Sequence, residues 1–267
     1  MTDAKNAVRD EEPTILLERD DDGVATLTLN RPARKNGIHR GMVDAAITAL
    51  DEVASDHRNR VLVVTGAGNA FCSGMDLVEP MAPDELTFMR RVGILCRNLH
   101  ELPIPTIAKV RGPAIGFGAN FALCCDLVLA ADESTFGELF AARGLGLDGG
   151  GSWSLPRLVG PQKAKEIAFF AQSLTGSQAA AIGLINKSVP GDSLDGVVAE
   201  WASTLAAGPR RALSMIKSQI NTALETSFSA ALEKEAVAQA QAARASEVKE
   251  GVKAFFEKRK PDFRAAD

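Results

Sequence analysis

The chain contains no tyrosine, and this absence bears on its most suggestive motif. Residues 61–77, VLVVTGAGNAFCSGMDL, read as an apolar strand followed by a Gly66-Ala67-Gly68 turn. A dinucleotide fingerprint needs a third glycine where this chain has Phe71. Short-chain dehydrogenases use a related TGxG loop, but they resemble one another in using a catalytic tyrosine. The sequence therefore argues against a nicotinamide-dependent dehydrogenase.

Other features are also scarce. The four cysteines have no Cys-x-x-Cys spacing, which favours buried free thiols over metal or redox sites. No signal-peptide-like stretch opens the sequence, and no run approaches about 18 apolar residues. The net charge of −4 gives no overall attraction to nucleic acid or to an anionic membrane. We therefore expect a cytoplasmic protein that binds no nucleic acid, membrane or metal, and that holds any anionic ligand with a local basic patch.

The spacing of apolar residues predicts the order of strands and helices. A hairpin is expected around Asp22-Gly23, and residues 41–56 have the three-and-four spacing of an amphipathic helix. Strands are expected at 61–65, 106–111 and 126–131, with a helix near 84–100. From about residue 195 the patterns are helical throughout. The order predicts an α/β protein with a core over residues 1–195 and a helical region over residues 196–267.

Two glycine-rich turns follow strands and are the candidate functional loops. GNAFCSGMDL follows the strand at 61–65, and GPAIGFGAN follows the strand at 106–111. Such turns leave backbone N–H groups unpaired at the start of the next helix. Two of these groups converging on one oxygen would form an oxyanion hole. Glycines that only make tight turns are the simpler alternative.

The order and spacing of five segments decide between these alternatives. The segments are NRPARKNGI, TGAGNAFCSGMDL, RGPAIGFGANFALCCDLVLAADESTFG, GLGLDGGGSWSLPRLVG and FFEKRKPDF. Over about residues 13–263 they resemble the crotonase superfamily, also called the enoyl-CoA hydratase/isomerase family. The resemblance implies a spiral of ββα units, a C-terminal all-helical trimerisation region, and a homotrimer or dimer of trimers. It also implies an acyl-CoA thioester substrate and no separate cofactor, because coenzyme A is part of the substrate.

The resemblance assigns roles to individual residues. Met75 and Phe117 would supply the two N–H groups of the oxyanion hole, and neither role requires a particular side chain. Phe255 is expected near the adenine and Lys258 near a phosphate, while residues 78–92 would line the acyl pocket. The residues expected to bind the substrate and its coenzyme A are Arg34, Lys35, Gly37, Cys72, Ser73, Gly74, Asp76, Leu77, Gly116, Asn120, Phe140, Phe255 and Lys258.

The two glutamates of family hydratases have no counterpart in this chain. Their matching positions hold Asn120 and Phe140, neither of which can move a proton. An acid does occur at Asp148, a position that resembles the one used by dienoyl-CoA isomerases and by the ring-epoxide isomerases of phenylacetyl-CoA breakdown. The ring-epoxide branch is the closest in pattern; a dehalogenase branch also has an aspartate there but resembles this chain less at Phe140. Asp148 could instead cap the following helix, and Glu138 is a spare acid expected at a surface strand end.

These residues predict an enoyl-CoA isomerase. Asp148 would move a proton two carbons along the acyl chain while the two N–H groups hold the dienolate. We expect the apolar neighbours Phe140, Leu145 and Leu147 to raise the pKa of Asp148, opposed by the N–H groups of the following helix. An enoyl-CoA hydratase is the first alternative. A non-catalytic acyl-CoA-binding trimer is the second.

Overall fold

The computed structural model describes residues 13–77 and 84–266. Its strands are β1 (Ile15–Arg19), β2 (Val24–Leu29), β3 (Val61–Gly66), β4 (Thr106–Val110), β5 (Pro113–Ile115), β6 (Leu127–Ala131), β7 (Thr135–Gly137), β8 (Ser173–Thr175) and β9 (Lys187–Val189). Its α-helices are α1 (Arg40–Ser55), α2 (Glu85–His100), α3 (Phe117–Leu123), α4 (Gly151–Val159), α5 (Pro161–Phe169), α6 (Gly176–Ala181), α7 (Gly191–Ala206), α8 (Arg210–Ala223), α9 (Phe228–Ala242) and α10 (Ser246–Glu257). The predicted α/β class is confirmed.

The larger sheet has six strands in the order β1-β2-β3-β4-β6-β9. β1 and β2 form the predicted antiparallel hairpin, with Ile15 opposite Leu29. Every other pairing in this sheet is parallel. Five of the six residues of β3 are buried, as expected for a parallel strand covered by helices on both faces.

A second sheet, in the order β5-β7-β8, lies beside the candidate loops. β5 forms inside GPAIGFGAN, where the sequence predicts only a turn. The strand has three residues, which is too short for alternation to be recognised in the sequence. An isolated bridge from Cys72 to Ala114 extends this sheet to the loop after β3, so both candidate loops are attached to it. Because β5 is present, the chain contains repeated strand-strand-helix units, such as β4-β5-α3 and β6-β7-α4.

Helices cover both faces of the larger sheet. α1 and α2 bury Met42, Leu50 and Leu95 in the main core. On the opposite face α7 packs Leu194 and Val198 against residues of β3, β4 and β6. The predicted domain division at residue 195 falls inside α7 and stays a prediction. Beyond α7, α8 and α9 have no buried residue, whereas α10 buries Glu247 and Ala254.

All four cysteines are buried and free, as predicted. Over residues 13–77 and 84–266, no helix combines the length and the apolarity needed to cross a membrane.

Candidate active site

A cleft of about 80 Å³ lies between the two candidate loops and the segment that precedes α4. It brings together many of the residues predicted to form the site: Ser73, Gly74, Met75, Leu77, Gly116, Phe117, Phe140 and Asp148. Ile115, Leu139, Leu145 and Arg143 complete its wall. No sequence motif points to Arg143. It lies in a 3-10 turn, and the fold places it at the cleft.

The N–H group of Met75, a residue that lines this cleft, is left unpaired because of how its loop pairs with residue 38. Ile38 donates its N–H to the carbonyl of Gly74 (2.8 Å) and accepts from the N–H of Asp76 (2.7 Å). Successive backbone groups of an extended segment point to opposite edges. The Met75 N–H therefore points away from Ile38, and among the described residues it has no acceptor. The sequence predicts that this N–H group lies at the start of a helix. That prediction is wrong, because α2 begins at Glu85.

The N–H group of Phe117 is free for a different reason. Phe117 is the first residue of α3, and Gly116 before it has a φ of 54°. The first N–H groups of a helix have no acceptor within that helix. The aromatic ring points the other way: it is 1% exposed and stacks on Phe121 with ring centroids 5.5 Å apart. The backbone of Phe117 thus borders the cleft, and its side chain packs in the core.

Two glycines let the donor loops approach each other. Gly74 has a φ of 97°, and a Cβ there would lie 2.8 Å from the carbonyl oxygen of Ile115. A Cβ on Gly118 would lie 2.3 Å from the carbonyl oxygen of Cys72. The thiol of Cys72 is buried beneath the cleft, and burial raises its pKa to about 12. Cys72 is therefore a neutral packing residue that does not line the cleft.

Asn36 is a structural residue of the site that the sequence analysis missed. Its fully buried side chain accepts from the N–H of Arg31 (2.8 Å) and donates to two carbonyls of the loop after β3 (2.7 and 2.9 Å). Asn36 precedes glycine and has a φ of 56°, so the Asn-Gly turn signal was available in the sequence. Nearby, the Arg31 guanidinium donates to the carbonyl of Gly37 (3.0 Å) and pairs with Asp76 (2.6 Å). Gly37 and Asp76 therefore brace the loop.

The predicted coenzyme A contacts fall into two groups. Arg34 and Lys35 are exposed at the edge of the cleft, where their carbonyls accept from the hydroxyl (3.3 Å) and N–H (2.9 Å) of Ser73. Phe255 and Lys258 lie at the end of α10 and do not line the cleft within this chain. Phe255 is 77% exposed.

Asp148 occupies the wall of the cleft with a desolvated carboxyl group. Its Oδ1 atom is buried and has no hydrogen-bond partner among the described residues. Burial raises the pKa of Asp148 to about 6, in the direction expected. Of the apolar neighbours named from the sequence, Phe140 is buried whereas Leu145 is largely exposed. Asp148 does not cap a helix, because Gly150 is the N-cap of α4 and no side chain bonds there.

Glu138 is buried, which corrects the expectation of a surface position. The residue follows β7 and is 3% exposed. Glu138 comes two residues after buried Phe136, and side chains two apart along an extended chain share a face. Its carboxylate accepts from the Nδ2 atom of Asn120 at 3.4 Å. Burial, opposed by this bond and reinforced by the charge of Asp148, raises the pKa of Glu138 to about 8.

Asn120 lies behind the cleft and joins these two acids. The residue is fully buried in α3 and does not line the cleft. The Nδ2 atom that bonds Glu138 also donates to the backbone carbonyl of Asp148 at 3.0 Å. Asn120 therefore supports the site, although it was predicted to contact the substrate.

A larger cavity of about 790 Å³ lies between α2, the start of α4 and α8. Cys96, Cys124, Gly150 and Trp153 are among its walls. Of the predicted acyl-pocket segment 78–92, residues 78–83 lie outside the described part of the chain, and the remainder lines neither cavity. No cluster of three or more His, Cys, Asp or Glu side chains in the described residues could hold a metal ion.

Comparison with known proteins gives consistent matches across the chain. A family model described as enoyl-CoA hydratase/isomerase matches residues 19–266. The 1,2-epoxyphenylacetyl-CoA isomerase of Escherichia coli K12 is 37% identical over 255 residues, which cover 93% of this chain and 97% of that protein. The crotonyl-CoA hydratase of Syntrophomonas wolfei is 31% identical over 253 residues, which cover 93% and 97%. The enoyl-CoA hydratase structure from Mycobacterium smegmatis aligns with a TM-score of 0.90 at 32% identity, covering 95% of this chain and all of that one.

Proposed function

Because the chain belongs to the enoyl-CoA hydratase/isomerase family and is an enzyme of that family, we propose that it isomerises an enoyl-CoA thioester. The observation that carries this proposal is the chemistry of the cleft wall. One carboxyl group, that of Asp148, shares the cleft with two free backbone N–H groups, those of Met75 and Phe117. The positions of the two hydratase glutamates, by resemblance, hold Asn120 and Phe140.

The proposed reaction is a 1,3-proton shift. The ionised carboxylate of Asp148 removes a proton from C2 of a 3-enoyl thioester, and the electron pair moves onto the thioester oxygen. The N–H groups of Met75 and Phe117 stabilise that oxyanion because they are already oriented before the charge develops. Asp148 then returns the proton to C4, so that the double bond moves from C3–C4 to C2–C3. The same carboxyl group is base and then acid, and no oxidant or further cofactor is needed.

Hydration is the second candidate, and the arrangement of acids disfavours it. Adding water to an enoyl thioester needs one group to deprotonate water and another to protonate the α-carbon. Glu138 is the nearby second acid, but it does not line the cleft in the described structure. The similarity to an epoxyphenylacetyl-CoA isomerase extends the proposal to ring isomerisation of a cyclic thioester. A non-catalytic acyl-CoA-binding protein is the third candidate. It is disfavoured because similar proteins are named as hydratases and isomerases.

We further propose that the chain assembles as a homotrimer or a dimer of trimers through its C-terminal helices. Half or more of Ile216 and Ile220 in α8 and of Leu224 just after it is exposed, and Phe228 at the start of α9 is 79% exposed. Apolar surface of this extent is typical of an interface, and closed symmetry is its usual outcome. Light scattering at micromolar concentration should give a trimer or hexamer mass, and a monomer would contradict this assembly.

The proposed reaction can be tested by following hydrogen positions in D₂O. The protein is incubated with 3-enoyl, 2-enoyl and cyclic enoyl thioesters, and the products are identified by mass spectrometry and NMR. We expect 3-enoyl substrates to become 2-enoyl products, with deuterium entering C4 in proportion to exchange of the Asp148 proton with solvent before it is returned. Quantitative conversion of 2-enoyl substrates to 3-hydroxyacyl products would assign the enzyme to hydration instead.

A further inference from the structure

A buried acid that the proposed reaction does not use lies directly behind Asp148. The amide of Asn120 connects the two: its Nδ2 atom donates to Glu138 Oε2 (3.4 Å) and to the backbone carbonyl of Asp148 (3.0 Å). Both Asn120 and Glu138 are almost completely buried. The amide is also wedged against the start of α4, because a Cβ on Gly151 would lie 2.5 Å from Nδ2.

We propose that Glu138 is a positioning residue: its carboxyl group holds the Asn120 amide, and through it the backbone of Asp148, and its ionisation places a second negative charge behind the cleft that inactivates the enzyme at alkaline pH. This inference rests on the proposed function in that Asp148 is the base. Glu138 itself does not touch the substrate, since it does not line the cleft.

The surroundings of Glu138 explain why its neutral form is favoured. The elements packed against β7, namely β5, β8 and α6, and the neighbouring helix α3 that carries Asn120, contain no acidic or basic side chain. Asp148 is the acid whose charge acts on Glu138. Arg143 at the cleft is exposed and donates to the backbone carbonyl of Leu139.

The two acids therefore ionise in order. The pKa of Asp148 is about 6 and that of Glu138 about 8. Between these values Asp148 is ionised and Glu138 is neutral. Above pH 8, Glu138 becomes a second negative charge in an apolar region, which disfavours both the ionised Asp148 and the developing enolate.

The pH dependence of kcat/KM for a 3-enoyl thioester tests this role, using the wild type, Glu138→Gln, Glu138→Ala and the exposed control Glu18→Gln. In the wild type and Glu18→Gln, kcat/KM should fall about tenfold per pH unit above pH 8. Glu138→Gln keeps the bond to Asn120 but cannot ionise, so the alkaline fall should disappear while the acidic limb near pH 6 remains. Glu138→Ala should lower kcat about tenfold at pH 7, and Glu138→Gln should rescue it. An unchanged alkaline fall in Glu138→Gln would overturn the proposal.

A second readout does not depend on activity. Infrared difference spectra between pH 7 and pH 9 should show loss of a protonated carboxyl C=O band in the wild type and Glu18→Gln, and no such loss in Glu138→Gln. If the wild type shows no band loss, the inference about Glu138 is wrong. If the band behaves as expected but no isomerisation occurs with any thioester, the proposed function fails while the ionisation order of the two acids stands.

Discussion

The two walls of the cleft are built in different ways. The donor wall offers backbone N–H groups of Met75 and Phe117, and its geometry depends on glycines at 74 and 116. The acid wall offers one side chain, that of Asp148, whose carboxyl is desolvated. A wall of backbone groups tolerates changes of side chain but not changes of backbone conformation. A wall that depends on one carboxyl tolerates neither loss nor neutralisation of that group.

The largest expected effect is on the acid wall. Asp148→Asn keeps the shape but cannot carry a proton, so isomerisation should fall about 10³-fold, within the range for general acid–base catalysis. The folded-state pKa of about 6 lies above the ordinary value of 3.8, so the ionised carboxylate lowers the free energy of unfolding at pH 7. The variant should therefore not lower the Tm. Asp21→Asn, at an exposed position, is the control. A clear fall of Tm in Asp148→Asn that is absent in Asp21→Asn would indicate a structural role for Asp148.

Removing one donor tests the other wall. Met75→Pro or Phe117→Pro deletes one N–H and should lower kcat on the order of 10²–10³-fold. Proline is tolerated at the first position of a helix, which is where Phe117 lies. The control for Met75→Pro is Met75→Leu. The control for Phe117→Pro is Phe117→Ala, because both variants remove the buried ring and only proline removes the N–H. Equal losses in each control and its proline variant would refute the backbone-donor account.

A smaller effect is expected from the glycine that orients the second donor. Gly116→Ala places a Cβ at a φ of 54°, close to the ring of Phe140 (3.4 Å). A side chain in this sparsely populated backbone region (φ 54°, ψ −119°) costs on the order of 1–3 kcal/mol, and a loop shift that relieves this strain should lower activity about tenfold. Gly146→Ala is the matched control, because its Cβ would meet nothing within 4 Å. Similar rates for the two variants in steady-state assays would argue against strain at this position.

The smallest effect concerns the predicted contact of Lys258, at the end of the C-terminal helix, with coenzyme A. Lys258→Ala should weaken coenzyme A binding about fivefold at low salt, equivalent to ~1 kcal/mol for a contact in water. The loss should shrink at high salt because of screening. Titration calorimetry at two salt concentrations measures the affinity for coenzyme A. Equal affinity of the variant and the wild type at both concentrations would show that Lys258 does not bind coenzyme A.

The sequence predicts the donor wall better than the surroundings of the acid wall. The hairpin, α1 and both loops follow from periodicity and turn signals, and the roles of Met75, Phe117 and Asp148 come from the family resemblance. Burial of Glu138 was missed, although alternation with Phe136 pointed to it. The bridge that frees the Met75 N–H depends on Ile38, which is distant in the sequence, and no local pattern could reveal it. The same holds for Arg143, which is placed by the fold.

The ratio of isomerisation to hydration tests the central claim most directly. Initial rates are measured on one preparation of the wild-type protein, with a 3-enoyl thioester for isomerisation and crotonyl-CoA for hydration. One carboxyl group at the cleft suffices for the proton shift but not for water addition, so the account predicts isomerisation at least about 10²-fold faster than hydration. Hydration of crotonyl-CoA at an equal or greater rate would contradict it.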